Sequence, residues 1–594
     1  MGELRSILPY FRPYKKGLAL GLVCVCFANV SQIAAPYLMK LAIDGLGDAD
    51  VTTRRIALLA SLIVVAALVG GAFRYGMREL LNGISRRIEA DLRNDFFGHL
   101  LRLDATYYGG TRTGDLMSRA TNDTFAVRMA VGPAVMYTVN TTVTFVFAMA
   151  LMLWISPRLT LYAIIPMILL PVIVLRFGRV IHKRFEEIQE QFSSMSTFVQ
   201  ESLSGVRIVR AYTQEKEQAR QFDAFNEDYR ERNMRLVRTA GAFHPVLSLL
   251  SGTAMVLVTW LGGLEVMAGR ITIGDFVAFF FYLALLIWPM IALGWVVSLY
   301  QRGAASMGRL NEVLRARPMV ETPEHPASLA GARGEVEFRD VSFTYPGTDR
   351  PVLERIGFVA RAGETVAIVG PTGSGKSTLV ALLARLYDPI EGEVLLDGIP
   401  LTSLDPADLR ARIGMVPQDP FLFSDTIRGN IGLGLSAADQ DDEPGLRDAV
   451  RQAAGLSQLH EQILEFPAQY DTMLGERGIN LSGGQKQRAT LARALARDPV
   501  VLVLDDALSA VDTHTEAAIL ADLRKAVRGC TAFIISHRVS AVMHADQILV
   551  LEGGRLVQRG THAQLIAADG TYARLLRRQL LEEDLEAEAQ AVGT

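Results

Sequence analysis

The stretch "ETVAIVGPTGSGKSTLVALLARLY", residues 364–387, decides the fold of the second half of this chain. Residues 365–369 are apolar or β-branched and read as a buried strand. A glycine-rich turn follows, and then an apolar pattern at helical spacing. The turn matches G-x-x-x-x-G-K-[ST] at Gly370, Gly375, Lys376 and Ser377. Pro371, Thr372, Gly373 and Ser374 lie inside it, and Thr378 follows. Glycines let the backbone curl so that successive N–H groups face one anion. The helix behind the turn directs its positive end at the same point. Lys376 can then reach the β- and γ-phosphates of a nucleotide, and the Ser377 hydroxyl can ligate Mg²⁺.

A second stretch, "VVLVLDDALSAVD" (500–512), fits beside the first. Its apolar run reads as a central parallel strand. Asp505 stands at the carboxyl end of that strand, where a carboxylate can hold Mg²⁺ next to a phosphate. Asp506 follows it. Around both motifs, β-branched runs alternate with helical patterns, so residues 334–580 read as an α/β P-loop nucleotide-binding domain.

The first half is different. The chain has 594 residues, too many for one ordinary domain. Half of its residues are hydrophobic and its mean hydropathy is +0.23, which indicates a membrane part joined to a water-soluble part. Six long apolar stretches, at about 17–40, 56–80, 131–155, 158–182, 245–267 and 276–300, are long enough to span a bilayer. Residues 1–316 thus read as an all-α transmembrane domain of six long helices. The first stretch exceeds an ordinary signal core and is preceded by the amphipathic "ELRSILPYFRPYKK", so it is expected to stay in the protein. The net charge of −3 gives no field that calls for nucleic acid. Cys24, Cys26 and Cys530 have neither zinc-ligand nor disulfide spacing and read as small apolar packers.

Six spans place both termini on one side. The long polar segments 81–130 and 183–244 share that side and are rich in Arg and Lys, whereas an opposite loop such as "SPR" (156–158) is short. Positive charge puts the termini and the nucleotide-binding half in the cytosol. "GISRRIEADLRNDFFGHLLRLD" (83–104) keeps helical spacing without proline, so the helices are expected to run on past the membrane. They turn at short polar elements, "GGTRTGDLMSRATNDT" (109–124) and "RAYTQEKEQ" (210–218). Residues 317–333, rich in proline and alanine, read as a linker. Residues 581–594 form an acidic tail.

Between the two nucleotide motifs lies "LSGGQKQR", Leu481 to Arg488. The phosphate loop, this signature and the strand ending in Asp505 together resemble the nucleotide-binding domain of ATP-binding cassette (ABC) transporters. Six spans followed by one cassette resemble a half-transporter of the exporter type, and the resemblance covers nearly the whole chain. It implies ATP and Mg²⁺ as ligands, with Mg²⁺ held by Ser377, Gln418 and Asp505. It implies that Tyr345 in "VSFTYPG" stacks on adenine, that Gln418 in "VPQDPFLF" senses Mg²⁺ and the attacking water, and that His537 in "IISHR" contacts the γ-phosphate. "GERG" (475–478) resembles the element that touches the intracellular loops, and "SAVD" with Asp512 resembles the loop between the two sites. It further implies two cassettes face to face, with Leu481, Ser482, Gly483, Gly484 and Gln485 closing on ATP held by the partner's phosphate loop. The two short polar turns then resemble coupling helices that transmit closure to the membrane.

One position departs from the family pattern. The residue after the Mg²⁺-binding Asp is a Glu there, acting on the attacking water; here it is Asp506. Its side chain is one methylene shorter, roughly 1.5 Å of reach. A misplacement of about 1 Å can cost roughly 100-fold in rate. The pattern resembles heterodimeric exporters with one weak and one active site. The expected partner is a second half-transporter that carries the Glu, with this chain's intact LSGGQ completing the partner's site. The alternatives are a homodimer that tolerates Asp506, an ATP-gated channel, or an ATP-dependent regulator on the same frame.

Few charges fall at mid-depth of the spans; Arg74 and Glu265 are exceptions placed near span ends. The last span, "GDFVAFFFYLALLIWPMIALGWVV" (274–297), is dense in aromatics, with Pro289 as a possible kink. Phe279 to Tyr282 and Trp288 could line an apolar cavity or simply pack. A small amphipathic or hydrophobic substrate fits best. The expected location is the lipid bilayer of a bacterial cytoplasmic membrane.

Overall fold

The computed structural model of the protein describes residues 2–46, 52–436, 439–440, 442–475, 478–511, 513–526, 529–536, 538 and 542–592. The chain divides into two compact units: Met1–Arg102 with Arg112–Ala316, and Leu103–Thr111 with Arg317–Thr594.

The first unit is helical throughout. After a 3₁₀ segment, Gly2–Tyr14, come helices α1 (Lys15–Leu46) and α2 (Thr53–Leu100). They pack side by side because small residues let them approach. A Cβ on Gly21 would lie 2.6 Å from Leu81 Cδ2. Phe27 stacks on Phe73 at 5.0 Å, and buried Cys24 sits with Met77 and Leu81. The short helix α3 (Ala105–Gly110) falls in the second unit. The chain then climbs through Thr113–Ser118 and two π-helical turns, Arg119–Asp123 and Ala130–Ala134, into α4 (Val135–Ile155). Helices α5 (Pro157–Ser204) and α7 (Glu215–Met267) form a second antiparallel pair, joined through short α6 (Val206–Ala211). Ser156 caps α5 through the Leu159 amide, with Pro157 at the first turn. Helix α8 (Ile273–Arg315) opens with a capping box between Thr272 and Asp275.

Among the described residues, six helical stretches are long and apolar enough to cross a membrane: Gly2–Leu46, Thr53–Leu100, Thr113–Ile155, Pro157–Ser204, Glu215–Met267 and Ile273–Arg315. Helix α5 has 48 residues. At 1.5 Å per residue that is about 72 Å, more than twice a hydrocarbon core of about 30 Å. The helices do continue well beyond the apolar windows, as the periodicity of 83–104 requires. The turns differ from expectation. The short helices are 105–110 and 206–211, a few residues ahead of 109–124 and 210–218. Asp104 caps the first through the Tyr107 amide, and Gly205 breaks the helix before the second. Local caps, rather than polarity, set these positions.

Phe279 and Tyr282 are buried in packing, and the Tyr282 hydroxyl donates to the Ile33 carbonyl of α1 at 3.2 Å. Phe281 and Trp288 are exposed on the surface of this single chain. Pro289 lies inside α8 without ending it. Glu265 pairs with Arg270 at 2.6 Å at the end of α7, and Arg74 donates to Gln32 at 3.3 Å.

The second unit contains two sheets among its described residues. Strands β1 (Val336–Phe343), β2 (Leu353–Ala360), β4 (Glu391–Leu396) and β5 (Ile399–Pro400) form an antiparallel sheet in the order β2-β1-β4-β5. The other sheet runs β10-β9-β3-β8-β7-β6. Its members are β3 (Thr365–Val369), β6 (Ile413–Val416), β7 (Val501–Asp505), β8 (Thr531–Ile535), β9 (Gln547–Glu552) and β10 (Arg555–Gly560). Apart from the β9–β10 hairpin it is parallel. Every residue of β7 is buried, which explains its unbroken apolar run.

Candidate functional site

Four neighbouring parallel strands, in the order β3-β8-β7-β6, deliver their carboxyl ends to one edge. The register pairs Ile368 with Ile535, Asp505 with Ile535 and Leu504 with Val416. The residues that leave those ends are therefore neighbours by construction: Gly370 after β3, Ser536 after β8, Asp505 on β7 and Gln418 after β6. Ligands in open α/β sheets gather at such an edge. Thr372, Gly373, Gly375, Lys376, Ser377, Thr378, Gln418, Asp505 and Asp506 line one cavity of about 190 Å³.

The phosphate loop needs its glycines. Gly375 has φ +96°, and a Cβ there would lie 2.6 Å from Leu353 Cδ2. A Cβ on Gly370 would meet the Leu551 carbonyl oxygen at 2.1 Å. Gly375 is also the residue before helix α9 (Lys376–Leu383), so the loop passes directly into a helix start. The Lys376 ammonium donates to the Gly370 and Pro371 carbonyls, each at 2.9 Å. Burial draws its pKa down, and the carboxylates of Asp505 and Asp506 push it back up. Ser374 Oγ is buried with no hydrogen-bond partner among the described residues, inside a loop whose N–H groups suit an anion.

Asp506 sits one residue past β7 with φ +48°. Its amide donates to the Ile535 carbonyl at 2.9 Å, so the carboxylate springs from a backbone pinned to the neighbouring strand. Tyr345 stands at the side of the loop. Its hydroxyl lies 3.0 Å from Thr378 Oγ1, and its ring meets Phe343 and Tyr387 edge-on at 5.0 and 5.3 Å.

Ser482 is the N-cap of helix α10 (Gly483–Leu495). Its hydroxyl accepts from the Gln485 amide at 3.2 Å, and the Gln485 side chain accepts from the Ser482 amide at 2.9 Å. This capping box accounts for Ser and Gln three residues apart in the signature. Leu481 is buried in the core beneath it. The backbone N–H groups of Gly483 and Gly484 sit at the positive end of a 13-residue helix. His537, Asp512 and the pair Glu476–Arg477 lie outside the described residues.

Sequence reasoning missed three residues that fasten the site. Gln487, 4% exposed, accepts from the Ala510 amide and donates to Ser509 Oγ, both at 2.9 Å. Arg538 donates to the Ser509 and Val511 carbonyls at 3.1 Å and to the buried Glu516 carboxylate at 2.5 Å. Arg493 donates to the carbonyls of Phe421 and Asn430 at 2.9 and 2.8 Å, bracing the loop that follows Gln418. Each acts through tertiary contacts; the linear pattern offers only polar residues.

Two family models match the chain: the ABC transporter transmembrane region over residues 18–290, and ABC transporter over residues 353–509. The chain belongs to the ABC transporters. Its two units accordingly carry the two halves of such a protein: an integral membrane part and a nucleotide-binding ATPase whose turnover is coupled to transport. The chain is 39% identical to the multidrug resistance-like ATP-binding protein MdlA of Escherichia coli strain K12 over 579 residues, covering 97% of this chain and 96% of that protein. It is 38% identical to the probable multidrug resistance ABC transporter ATP-binding/permease protein YheI of Bacillus subtilis strain 168, over 97% of this chain and 98% of that one. A structure of a bacterial Atm1-family ABC exporter with ATP bound superposes with a TM-score of 0.79 at 28% identity, covering 96% of this chain and 99% of that chain.

Proposed function

We propose that this ABC transporter is the weak-site half of a heterodimeric exporter. The observation that carries the reading is Asp506. Beside the phosphate-loop residues Gly373 and Gly375 to Thr378, the cavity is lined by a carboxylate one methylene shorter than the glutamate of the family pattern, on a backbone held to β8. A general base must reach its water. Shortening it by roughly 1.5 Å, with a pinned backbone, leaves ATP bound and slowly cleaved.

The donor set suits Mg²⁺. Ser377 Oγ, the Asp505 carboxylate and the Gln418 amide oxygen are hard oxygen ligands lining one cavity. Bound there, Mg²⁺ would offset charge on the β- and γ-phosphates. Lys376 supplies the second positive charge, and the loop amides hold the phosphates. Tyr345 is assigned to the adenine and His537 to the γ-phosphate contact, as the family pattern implies. Leu481 to Gln485 and Asp512 belong to the surface offered to the second subunit, where the signature helix start closes on the partner's nucleotide.

In this reading residues 1–316 form the membrane domain, 317–333 a linker, 334–580 the cassette and 581–594 a tail. Arg- and Lys-rich helix extensions support a cassette and termini on the cytosolic side of a bacterial cell, with the six helices in its cytoplasmic membrane. The cargo is an amphipathic or hydrophobic small molecule, in keeping with the multidrug names of the two relatives.

Turnover of the purified chain alone, before and after Asp506→Glu, tests the proposal. The expected result is slow hydrolysis that rises roughly 10- to 100-fold in the variant. Brisk hydrolysis by the unaltered chain, left unchanged by the substitution, would remove the weak-site reading.

A further inference from the structure

We propose that the first residues of the linker behind α8 form a relay, held by Arg385 at Glu321 and by Asp104 at the adjacent Met319 and Val320, that carries the nucleotide state of the phosphate loop to helix α3. All the residues involved belong to the ATPase unit, which includes Leu103–Thr111.

The path begins at the far end of α9. Arg385 is the second residue after that helix, 3% exposed, with φ +47°. A non-glycine residue in that region persists only where its surroundings hold it. Here the guanidinium is satisfied on every side. It donates to Asp388 Oδ1 at 3.0 Å, to the Leu404 carbonyl at 2.8 Å and to the Glu321 carbonyl of the linker at 2.9 Å. Its own carbonyl accepts from Arg410 at 2.6 Å. Two residues on, Tyr387 meets Tyr345 edge-on, so the same turn also borders the aromatic beside the loop.

The two linker residues before Glu321 meet Asp104. One carboxylate oxygen caps α3 through the Tyr107 amide at 3.2 Å. The other accepts from the amides of Met319 and Val320, the latter at 3.0 Å. One side chain thus fixes both the start of α3 and the linker residues just before Glu321. Hydrogen bonds from backbone amides to a carboxylate are charge-assisted and directional. A shift of α9 as phosphates draw in the loop amides moves Arg385, hence Glu321, hence the cap of α3.

The inference rests on the reading that α3 couples the cassette to the membrane helices, yet its test reads a single chain and does not depend on the partner. Hydrogen exchange would be followed in peptides covering 103–111 and 317–322 of the full chain, with and without ATP. ATP is expected to slow exchange in 103–111 by about fivefold or more. Asp104→Ala should abolish that slowing while ATP affinity, read with a fluorescent ATP analogue, stays within about twofold. Asp104→Asn, whose amide oxygen still accepts, should restore part of it, which a merely destabilising change would not do. Arg385→Leu should also abolish it; should that variant fail to fold, the two Asp104 variants decide alone. Parent-like slowing in Asp104→Ala, or no slowing in the parent while ATP is bound, overturns the relay. Failure of the weak-site reading would instead show in turnover of the unaltered chain.

Discussion

The side-chain oxygen of Gln487 accepts the backbone N–H of Ala510 at 2.9 Å. That contact ties the helix headed by Ser482 to the loop that follows Asp506, and the fit is close: a Cβ on Gly484 would lie 2.9 Å from the Ala510 carbonyl oxygen. Gln487→Ala removes the acceptor of the Ala510 amide and the donor to Ser509, a loss of about 1–3 kcal/mol. We expect lower thermal stability and roughly 10-fold slower hydrolysis in the assembled transporter. Gln487→Glu, which keeps the acceptor for Ala510 and loses the donor to Ser509, should fall between. Melting curves and steady-state turnover check both.

Lys376 folds onto the carbonyls of its own loop, so its charge is stored where phosphates would sit. Lys376→Ala removes a charge-assisted partner worth about 1.5–3 kcal/mol. ATP affinity should fall roughly 10- to 100-fold with little change in melting temperature, measured by equilibrium binding of a fluorescent ATP analogue.

At Gly375 the backbone is left-handed and crowded by Leu353 and Val352. Gly375→Ala should cost about 1–3 kcal/mol and deform the phosphate loop. Gly347 has φ +81° but open space around it, so Gly347→Ala carries the backbone cost alone. Comparing nucleotide binding by the two variants separates the clash from the dihedral.

Arg538 neutralises Glu516, whose side chain is 4% exposed. Removing the cation leaves a buried carboxylate uncompensated, at about 3–5 kcal/mol. Glu516→Gln keeps the shape and removes the charge. Arg538→Ala should therefore destabilise more than Glu516→Gln, and the double variant less than Arg538→Ala. Denaturant unfolding of the four proteins tests the order.

Burial pushes the Cys530 thiol up to about 12. The neutral thiol is favoured in the fold, so the associated stability is present below the ordinary thiol range, near 8.5, and is lost as pH rises through the folded value. At pH 8 the thiolate fraction is on the order of 10⁻⁴. Alkylation of Cys530 in the native protein should be roughly a thousandfold slower than after denaturation, gaining about tenfold per pH unit. Mass spectrometry of timed reactions reads this directly.

Much of the fold was legible in the chain because the signals are local. The strand at 365–369 is found where its apolar run stands, and the carboxyl end of β7 carries Asp505 as read. Span-length apolar stretches became helices because a backbone in lipid must satisfy itself. The short helices between the long ones were displaced by a few residues, since Asp104 and Gly205, not polarity, mark their starts. Phe279 and Tyr282 could not be assigned to packing from their spacing, as an aromatic stripe looks the same on either face.

By itself the sequence determined the kind of machine: six membrane helices, a phosphate loop, a signature helix, and a carboxylate one carbon short at Asp506. These follow from composition, period and residue type over a few positions. Only the tertiary structure decided that Gln418, Ser377, Asp505 and Asp506 share one cavity, that Gln487 holds Ala510, and that Arg385 reaches the linker beside Asp104. Strand order in a parallel sheet brings together residues more than a hundred positions apart. No local pattern encodes which polar side chain will meet which backbone once the sheet has closed.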